Sequence, residues 1–285
     1  MGEWVGIGRR ARRCYGFDEV ALVPGMATVN PNEVYINFSI NGKKFSVPIL
    51  AAAMDGVVDV KFAVAMGNLG GIAVLNLDGI QTRYNNPEEI LERIARASAE
   101  EATKLVQSVY LEPVKEKLIA KRVAEIKKHK VTAVVSCIPA NAERFAAIAQ
   151  SAGSDIFVVQ STVTSTRHIS TEYKALDLHK FCKSLKIPVI IGNCVTYAVT
   201  AELLQTGAAG LLIGIGPGAA CTTRGVLGIG VPQVTATIDA AAARDYYYKR
   251  TGKYIPIITD GGMRIGGEIC KAFAAGADAV MVGSA

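Results

Sequence analysis

The chain has 285 residues, half of them hydrophobic and 20% charged, with a mean hydropathy of +0.28, which excludes a disordered or fibrous protein and leaves ample apolar side chain for a large core. Its net charge is +6, and Arg9, Arg10, Arg12 and Arg13 hold four positive charges in one short arm, so the body lacks the broad basic face that a nucleic-acid partner demands. The most apolar stretch, Gly207 to Cys221, is broken by glycines and a proline and cannot span a bilayer, and no apolar leader segment accompanies the arginines. Cys14, Cys137, Cys182, Cys194, Cys221 and Cys270 form no C-x-x-C pair, so reduced thiols, no membrane partner and a cytoplasmic enzyme are expected.

In chain order, a basic arm over residues 1–16 precedes apolar runs of strand length, rich in Val and Ile and hydrophobic on both faces. They fall at 48–53, 71–76, 132–137, 155–160, 187–192, 209–214, 255–259 and 278–282. Such runs suit strands covered on both sides. Helix-period segments at 140–151, 196–206 and 264–275 lie between them, and Gly70, Gly153, Gly207 and Gly276 each stand where a helix closes and a strand begins. Eight alternating units predict a TIM (β/α)8 barrel as a single domain over 1–285, with a doubly wound open sheet as the alternative. Residues 77–131 exceed a normal crossover. Asn86-Pro87-Glu88-Glu89 and Ser98-Ala99-Glu100-Glu101 read as helix starts, which makes this stretch a helical insertion. The eighth strand ends near Gly283, so the barrel is expected to lack its last helix within these residues.

Barrel chemistry gathers at the C-terminal strand ends, with phosphate gripped by loops after the last strands. Glycines crowd those ends: Gly214, Gly216 and Gly218 after the sixth strand, Gly261 and Gly262 after the seventh, Gly283 and Ser284 after the eighth. Cys221 stands in the longest of these loops, where a thiolate could attack an electrophilic carbon. Asp260 could hold ribose hydroxyls or cap the next helix. Asn193 is a polar contact or a turn residue. Cys137, Cys194 and His168 lack metal-ligand spacing. Tyr246-Tyr247-Tyr248-Lys249-Arg250 reads as a helix end whose cations suit the dipole.

Gly214 to Arg224 followed by Gly228-Ile229-Gly230-Val231-Pro232-Gln233 strongly resembles the active-site loop of the IMP dehydrogenase/GMP reductase family. Phe17 to Pro24, Ala52-Ala53-Met54-Asp55, Gly192-Asn193 with Val195-Thr196, Asp260-Gly261-Gly262 and Gly283-Ser284 extend that resemblance over nearly the whole chain. It implies a Cys221 thiolate adding to C2 of a purine nucleotide, with a hydride exchanged with NAD or NADP. IMP oxidation to XMP is the favoured direction and GMP reduction the alternative, with Thr223 positioning water or ammonia. By the same resemblance Asp260 holds the ribose, Gly218, Gly261, Gly262, Gly283 and Ser284 the phosphate, and Met54, Asn193 and Met281 line the pocket. Gln160, Ser161, Thr162 and Gly214 meet the cofactor, and carbonyls of Gly216, Gly218 and Cys221 bind potassium. Tetramers or octamers are implied. The chain departs from the family at Ala219, where a phosphate-binding serine is usual, at Gln160, where an aspartate is usual, and at Leu212, where dehydrogenases often have arginine. The helical segment 77–131 replaces the CBS pair that many dehydrogenases insert. These features are most like the IMP dehydrogenase-related branch without CBS domains. The departures also leave room for a non-catalytic nucleotide-binding paralogue, while a flavin-dependent barrel would have no use for the cysteine loop.

Overall fold

Eight of the apolar runs become parallel strands: β1 (Ile49–Ala51), β2 (Ile72–Asn76), β3 (Val134–Cys137), β4 (Ile156–Gln160), β5 (Val189–Cys194), β6 (Gly210–Ile213), β7 (Ile257–Asp260) and β8 (Ala279–Val282). Each pairs with the next, and β8 returns to β1 through Val280↔Ile49 and Met281↔Leu50. The result is the closed α/β barrel that the alternation predicts. The computed structural model describes residues 2–171 and 174–284.

Why both strand faces are apolar follows from where the side chains go. One set, including Leu50, Ile72, Val74, Ile156, Val158, Ile190, Leu212 and Ile258, fills the barrel interior. Their chain neighbours, such as Ala73, Leu75, Phe157, Val159, Ile191, Leu211 and Ile257, point outward into a second core against the helices. Period-2 alternation thus feeds two cores from one strand. Leu212 is fully buried in the inner one.

The helices of that outer layer are α1 (Val60–Asn68) after β1, then α2 (Ile80–Arg83), α3 (Pro87–Arg96), α4 (Ala99–Tyr110) and α5 (Glu116–Lys127) between β2 and β3. They continue with α6 (Ala142–Ser151), α7 (Leu178–Ser184), α8 (Tyr197–Leu203), α9 (Thr223–Leu227), α10 (Gln233–Thr251) and α11 (Gly266–Ala274). Pro87 opens α3 and Ser98 caps α4 by accepting the Glu101 N–H, as their sequence signals indicate. A ribbon of Phe38–Ile40 and Lys43–Phe45 turns at Asn41-Gly42 with both residues at positive φ. Phe38, Ile40 and Phe45 join the inner core. A second ribbon pairs Glu3–Gly6 with Arg9–Ala11 in the basic arm.

Two aspartates tie strand starts together at the opposite end from the glycine loops. Asp155 accepts the Ala133 N–H at 2.8 Å and Lys127 Nζ and Lys43 Nζ at 2.7 Å each. Burial raises its carboxyl, but those hydrogen bonds outweigh burial and hold it below the usual range. Asp278 repeats the device, accepting the Ile257 N–H at 2.8 Å and Arg244 Nη1 at 2.7 Å. Both aspartates sit two residues after a helix-closing glycine. At Gly276 the backbone has φ +102°, and an added Cβ would stand 2.6 Å from Ala241 Cβ on α10. Gly276→Ala therefore combines a left-handed backbone with overpacking and should cost about 2–4 kcal/mol, lowering the melting temperature by roughly 5–15 °C. Gly252→Ala, whose backbone is left-handed but whose surroundings are open, should shift it much less in the same thermal scan.

Candidate active site

At the C-terminal strand ends a cavity of about 650 Å³ opens, and it gathers the residues that the sequence singles out. Met54 follows β1, Gln160 ends β4 with Ser161 and Thr162 after it, Asn193 lies in β5, and Asp260 ends β7. Gly214 to Cys221 and Thr223 line it, as do Gly261, Gly262, Gly283 and Ser284, with Gly261 and Gly262 packed close against Pro217 of the cysteine loop. Met281 is the exception. It is fully buried in the inner core, because a residue in mid-strand points inward one layer below the mouth. It contributes its carbonyl instead, which accepts the Gly261 N–H at 3.0 Å. That bond also removes the Gly261 amide from the donors available to an anion.

Two long side chains anchor the cysteine loop. Arg224 donates from Nε to the Ile215 carbonyl at 2.9 Å and from Nη2 to the Val231 carbonyl at 2.6 Å. Gln233, first residue of α10, donates to the Ile213 carbonyl at 2.5 Å. Between these anchors Cys221 is exposed, its thiol donating to Thr223 Oγ1 at 3.3 Å. The other cysteines do not line this cavity. Burial pushes the thiols of Cys182 and Cys194 up to about 11 and that of Cys137 higher still, which leaves them protonated at neutral pH.

Three polar side chains also converge on this cavity. Asn193 Nδ2 donates to Asp260 Oδ2 at 2.7 Å, and Gln160 Nε2 donates both to the same Oδ2 and to Asn193 Oδ1, at 3.1 Å each. Asp260 Oδ1 accepts no hydrogen bond from the described residues. The helix-cap reading of Asp260 is set aside, since α11 starts at Gly266 behind Ile265. Burial pushes the Asp260 carboxyl up to about 6, against the lowering effect of Asn193. Gln160 thus spends its donor on Asp260 and Asn193, and only its Oε1 is left for a cofactor. The Ser161 hydroxyl is also occupied, by the Val163 carbonyl and by Thr164, whereas the Thr162 hydroxyl is free among the described residues.

Sequence reasoning did not single out two charged lining residues. Asp18 lies in the turn Phe17–Glu19, which is pinned when Lys271 Nζ donates to the Phe17 carbonyl at 2.8 Å. Arg264 is the one cationic side chain among the lining residues. Its guanidinium stands 3.6 Å from Glu268 and is mostly exposed. The clue was position: Asp18 sits in the Phe17–Pro24 motif and Arg264 two residues past Gly262.

The family model for the IMP dehydrogenase/GMP reductase domain matches residues 14–285. The chain belongs to this family. It is therefore an oxidoreductase of the IMP dehydrogenase/GMP reductase type. Similar proteins include an uncharacterized oxidoreductase of Mycobacterium tuberculosis, 35% identical over 98% of this chain and 76% of the relative. An inosine-5′-monophosphate dehydrogenase of Cryptosporidium parvum is 32% identical over 94% of this chain and 66% of the relative. The crystal structure of an IMP dehydrogenase/GMP reductase-like protein from Corynebacterium glutamicum superposes with a TM-score of 0.92 at 33% identity, covering 98% of this chain and 74% of that one.

Within this family site, Asp260 is ionised at neutral pH at a cost to the fold of about 3 kcal/mol. The unfolded chain ionises near the ordinary value of 3.8 and the folded one at about 6. Between those values folding takes up a proton, so this group's contribution to stability falls as pH rises through 6. Asp260→Asn keeps an oxygen for both amide donors and removes the charge. It should raise the melting temperature by roughly 5 °C at pH 7.5 and lose that advantage below pH 4. An unchanged melting temperature at pH 7.5 would contradict a buried, ionised carboxylate.

Proposed function

We propose that the protein oxidises a purine nucleoside monophosphate at C2 of the base, converting IMP and NAD to XMP and NADH. One observation carries the reading: the exposed Cys221 thiol and the unshared Asp260 oxygen open onto the same cavity, so a nucleotide held by its sugar presents its base to the sulfur. The curated dehydrogenase relative supports the substrate class.

In this reading Asp260 Oδ1 accepts from the ribose hydroxyls. The phosphate meets Gly218, Gly262, Gly283 and Ser284, and Arg264 supplies the positive charge that the lost hydroxyl at Ala219 cannot. Met54 and Asn193 border the nucleotide. Cys221, as thiolate, forms a bond to C2. After the C2 hydride has left, water adds to C2, the C–S bond breaks with its electron pair returning to sulfur, and the base keeps the new oxygen. Thr223 Oγ1, within 3.3 Å of the sulfur, positions that water by accepting a hydrogen bond from it, and the water's proton passes to solvent.

Groups fitting a nicotinamide dinucleotide are the Gln160 Oε1 acceptor, the Thr162 hydroxyl and the backbone at Ser161 and Gly214. When bound, NAD or NADP supplies the hydride acceptor, and these residues orient it beside the nucleotide. For potassium the donor set is chemically suitable, since the carbonyls of Gly216, Gly218 and Cys221 are neutral oxygens on one loop. The Gly218 carbonyl also accepts the Cys221 N–H at 3.0 Å, so an ion there would brace the nucleophile's own turn.

Self-association as a tetramer or octamer belongs to the same proposal. Trp4, Ile7, Val23, Met26 and Tyr35 leave more than half of their surface exposed along the N-terminal segment. A reducing, cytoplasmic setting keeps Cys221 a thiol. Among the described residues no helix is long and apolar enough to cross a membrane.

Incubation with IMP and NAD should produce XMP and NADH, and Cys221→Ser should reduce turnover at least about 1,000-fold while IMP affinity stays within a factor of about three. Turnover of GMP with NADPH instead would make the protein a reductase, and turnover of neither pair would end the enzymatic reading. Arg264→Gln should weaken IMP about 10-fold, the scale of one charge-assisted hydrogen bond, and leave inosine unchanged in the same calorimetric titration.

A further inference from the structure

We infer that Gln160 is a positioning residue for Asp260: it fixes which carboxylate oxygen meets the sugar, and so governs selection of ribose over 2′-deoxyribose. This rests on the nucleotide reading above. The network has only one self-consistent orientation. Asp260 is an acceptor, so Asn193 must turn Nδ2 toward it, which turns Asn193 Oδ1 toward Gln160. Gln160 must then present Nε2, and that nitrogen lies 3.1 Å from both Asn193 Oδ1 and Asp260 Oδ2.

Both donors therefore converge on Oδ2 and none on Oδ1. A carboxylate held along one edge by two amides cannot rotate to share its charge, so Oδ1 stays aimed as a single acceptor. Asn193 alone brings one donor to Oδ2 and leaves the carboxylate free to turn about that bond, whereas the second donor, from Gln160, fixes it. Gln160 reaches this position from the end of β4, whose next residues are zipped to β5 by the Ser161 N–H donating to the Gly192 carbonyl at 2.9 Å and the Asn193 N–H donating to the Ser161 carbonyl at 3.0 Å. The side chain is thus placed by the barrel and not by the loop. A cofactor contact made through the Gln160 donor, in contrast, would require that donor to face away from Asp260.

Gln160→Met keeps the shape and removes the donor; Gln160→Glu keeps the shape and sets an acceptor against Oδ2. Titration with IMP and with 2′-deoxy-IMP, without cofactor, reads the sugar contact directly. Gln160→Met should weaken IMP about 10-fold, weaken 2′-deoxy-IMP less than 3-fold, and raise KM for IMP by a larger factor than it changes kcat. Gln160→Glu should lose more, with a melting temperature that shows it folded. An unchanged ratio of IMP to 2′-deoxy-IMP affinity in Gln160→Met, or a rise confined to KM for NAD, overturns the inference. Failure of the wild-type protein to bind IMP overturns the nucleotide reading instead, and the two failures are told apart by the wild-type titration alone.

Discussion

The side-chain amide of Gln233 is the tie on which the active-site geometry depends. From the first turn of α10 its Nε2 donates to the Ile213 carbonyl at the end of β6 and, at 3.4 Å, to the Asp260 carbonyl at the end of β7. Gly214 passes under this amide. A Cβ there would stand 2.2 Å from the Asp260 carbonyl oxygen and 2.9 Å from Nε2, on a backbone at φ +151°. The loop can leave β6 in one direction only, and Arg224 fixes its return by binding the Ile215 and Val231 carbonyls. Where Cys221 can be is thereby set by two amide–carbonyl contacts between strand ends and helix starts. A parallel barrel makes this possible, because β6 and β7 pair side by side with their C-terminal ends on one rim.

The barrel was legible because its cause is local. A strand apolar on both faces writes a continuous Val/Ile run, and a helix that closes in the left-handed region writes a glycine. The helices α3 and α4 between β2 and β3 were legible for the same reason, through Pro87 and the Ser98 cap. What was not legible is pairing across the barrel mouth. Gln160 lies 100 residues from Asp260, and nothing in Val159-Gln160-Ser161 says that its amide nitrogen faces a carboxylate rather than a cofactor. Met281 shows the complementary limit: periodicity gives the face of a strand residue but not its depth. The Asn41-Gly42 turn carried a strong hairpin signal, yet its three-residue strands are shorter than an apolar-run count detects.

The insertion is not merely appended. Arg122 on α5 donates to the carbonyls of Gln81, Tyr84 and Asn85, so the short α2 is held from behind. Asp55, next to Met54, accepts the Ile80 N–H at 3.0 Å and the Tyr110 hydroxyl from α4. Burial is the main influence on the Asp55 carboxyl and raises it. A segment placed between β2 and β3 thereby braces the loop after β1, and that loop lines the cavity. In turn, Met54 packs on the last strand end, where a Cβ added to Gly283 would come within 2.8 Å of its sulfur.

In the proposed reaction, recognition and chemistry fall to different kinds of structure. Gln160, Asn193 and Asp260 stand on strand ends, hydrogen-bonded to one another, where the barrel fixes their positions. Cys221 stands on a glycine-rich loop held at both ends but open at its crest, where a Cβ at Gly218 would meet nothing within 4 Å. Covalent chemistry with two successive partners at one carbon needs this division. In the proposed reaction the sugar would stay in place while sulfur bonds to the base and gives way to water, a role that suits the strand-end set, with the loop carrying the nucleophile. Burial raises the Asp260 carboxyl, so its ionised form makes the fold less stable than a neutral side chain would, and in the proposed reading that charge is what accepts from a ribose diol.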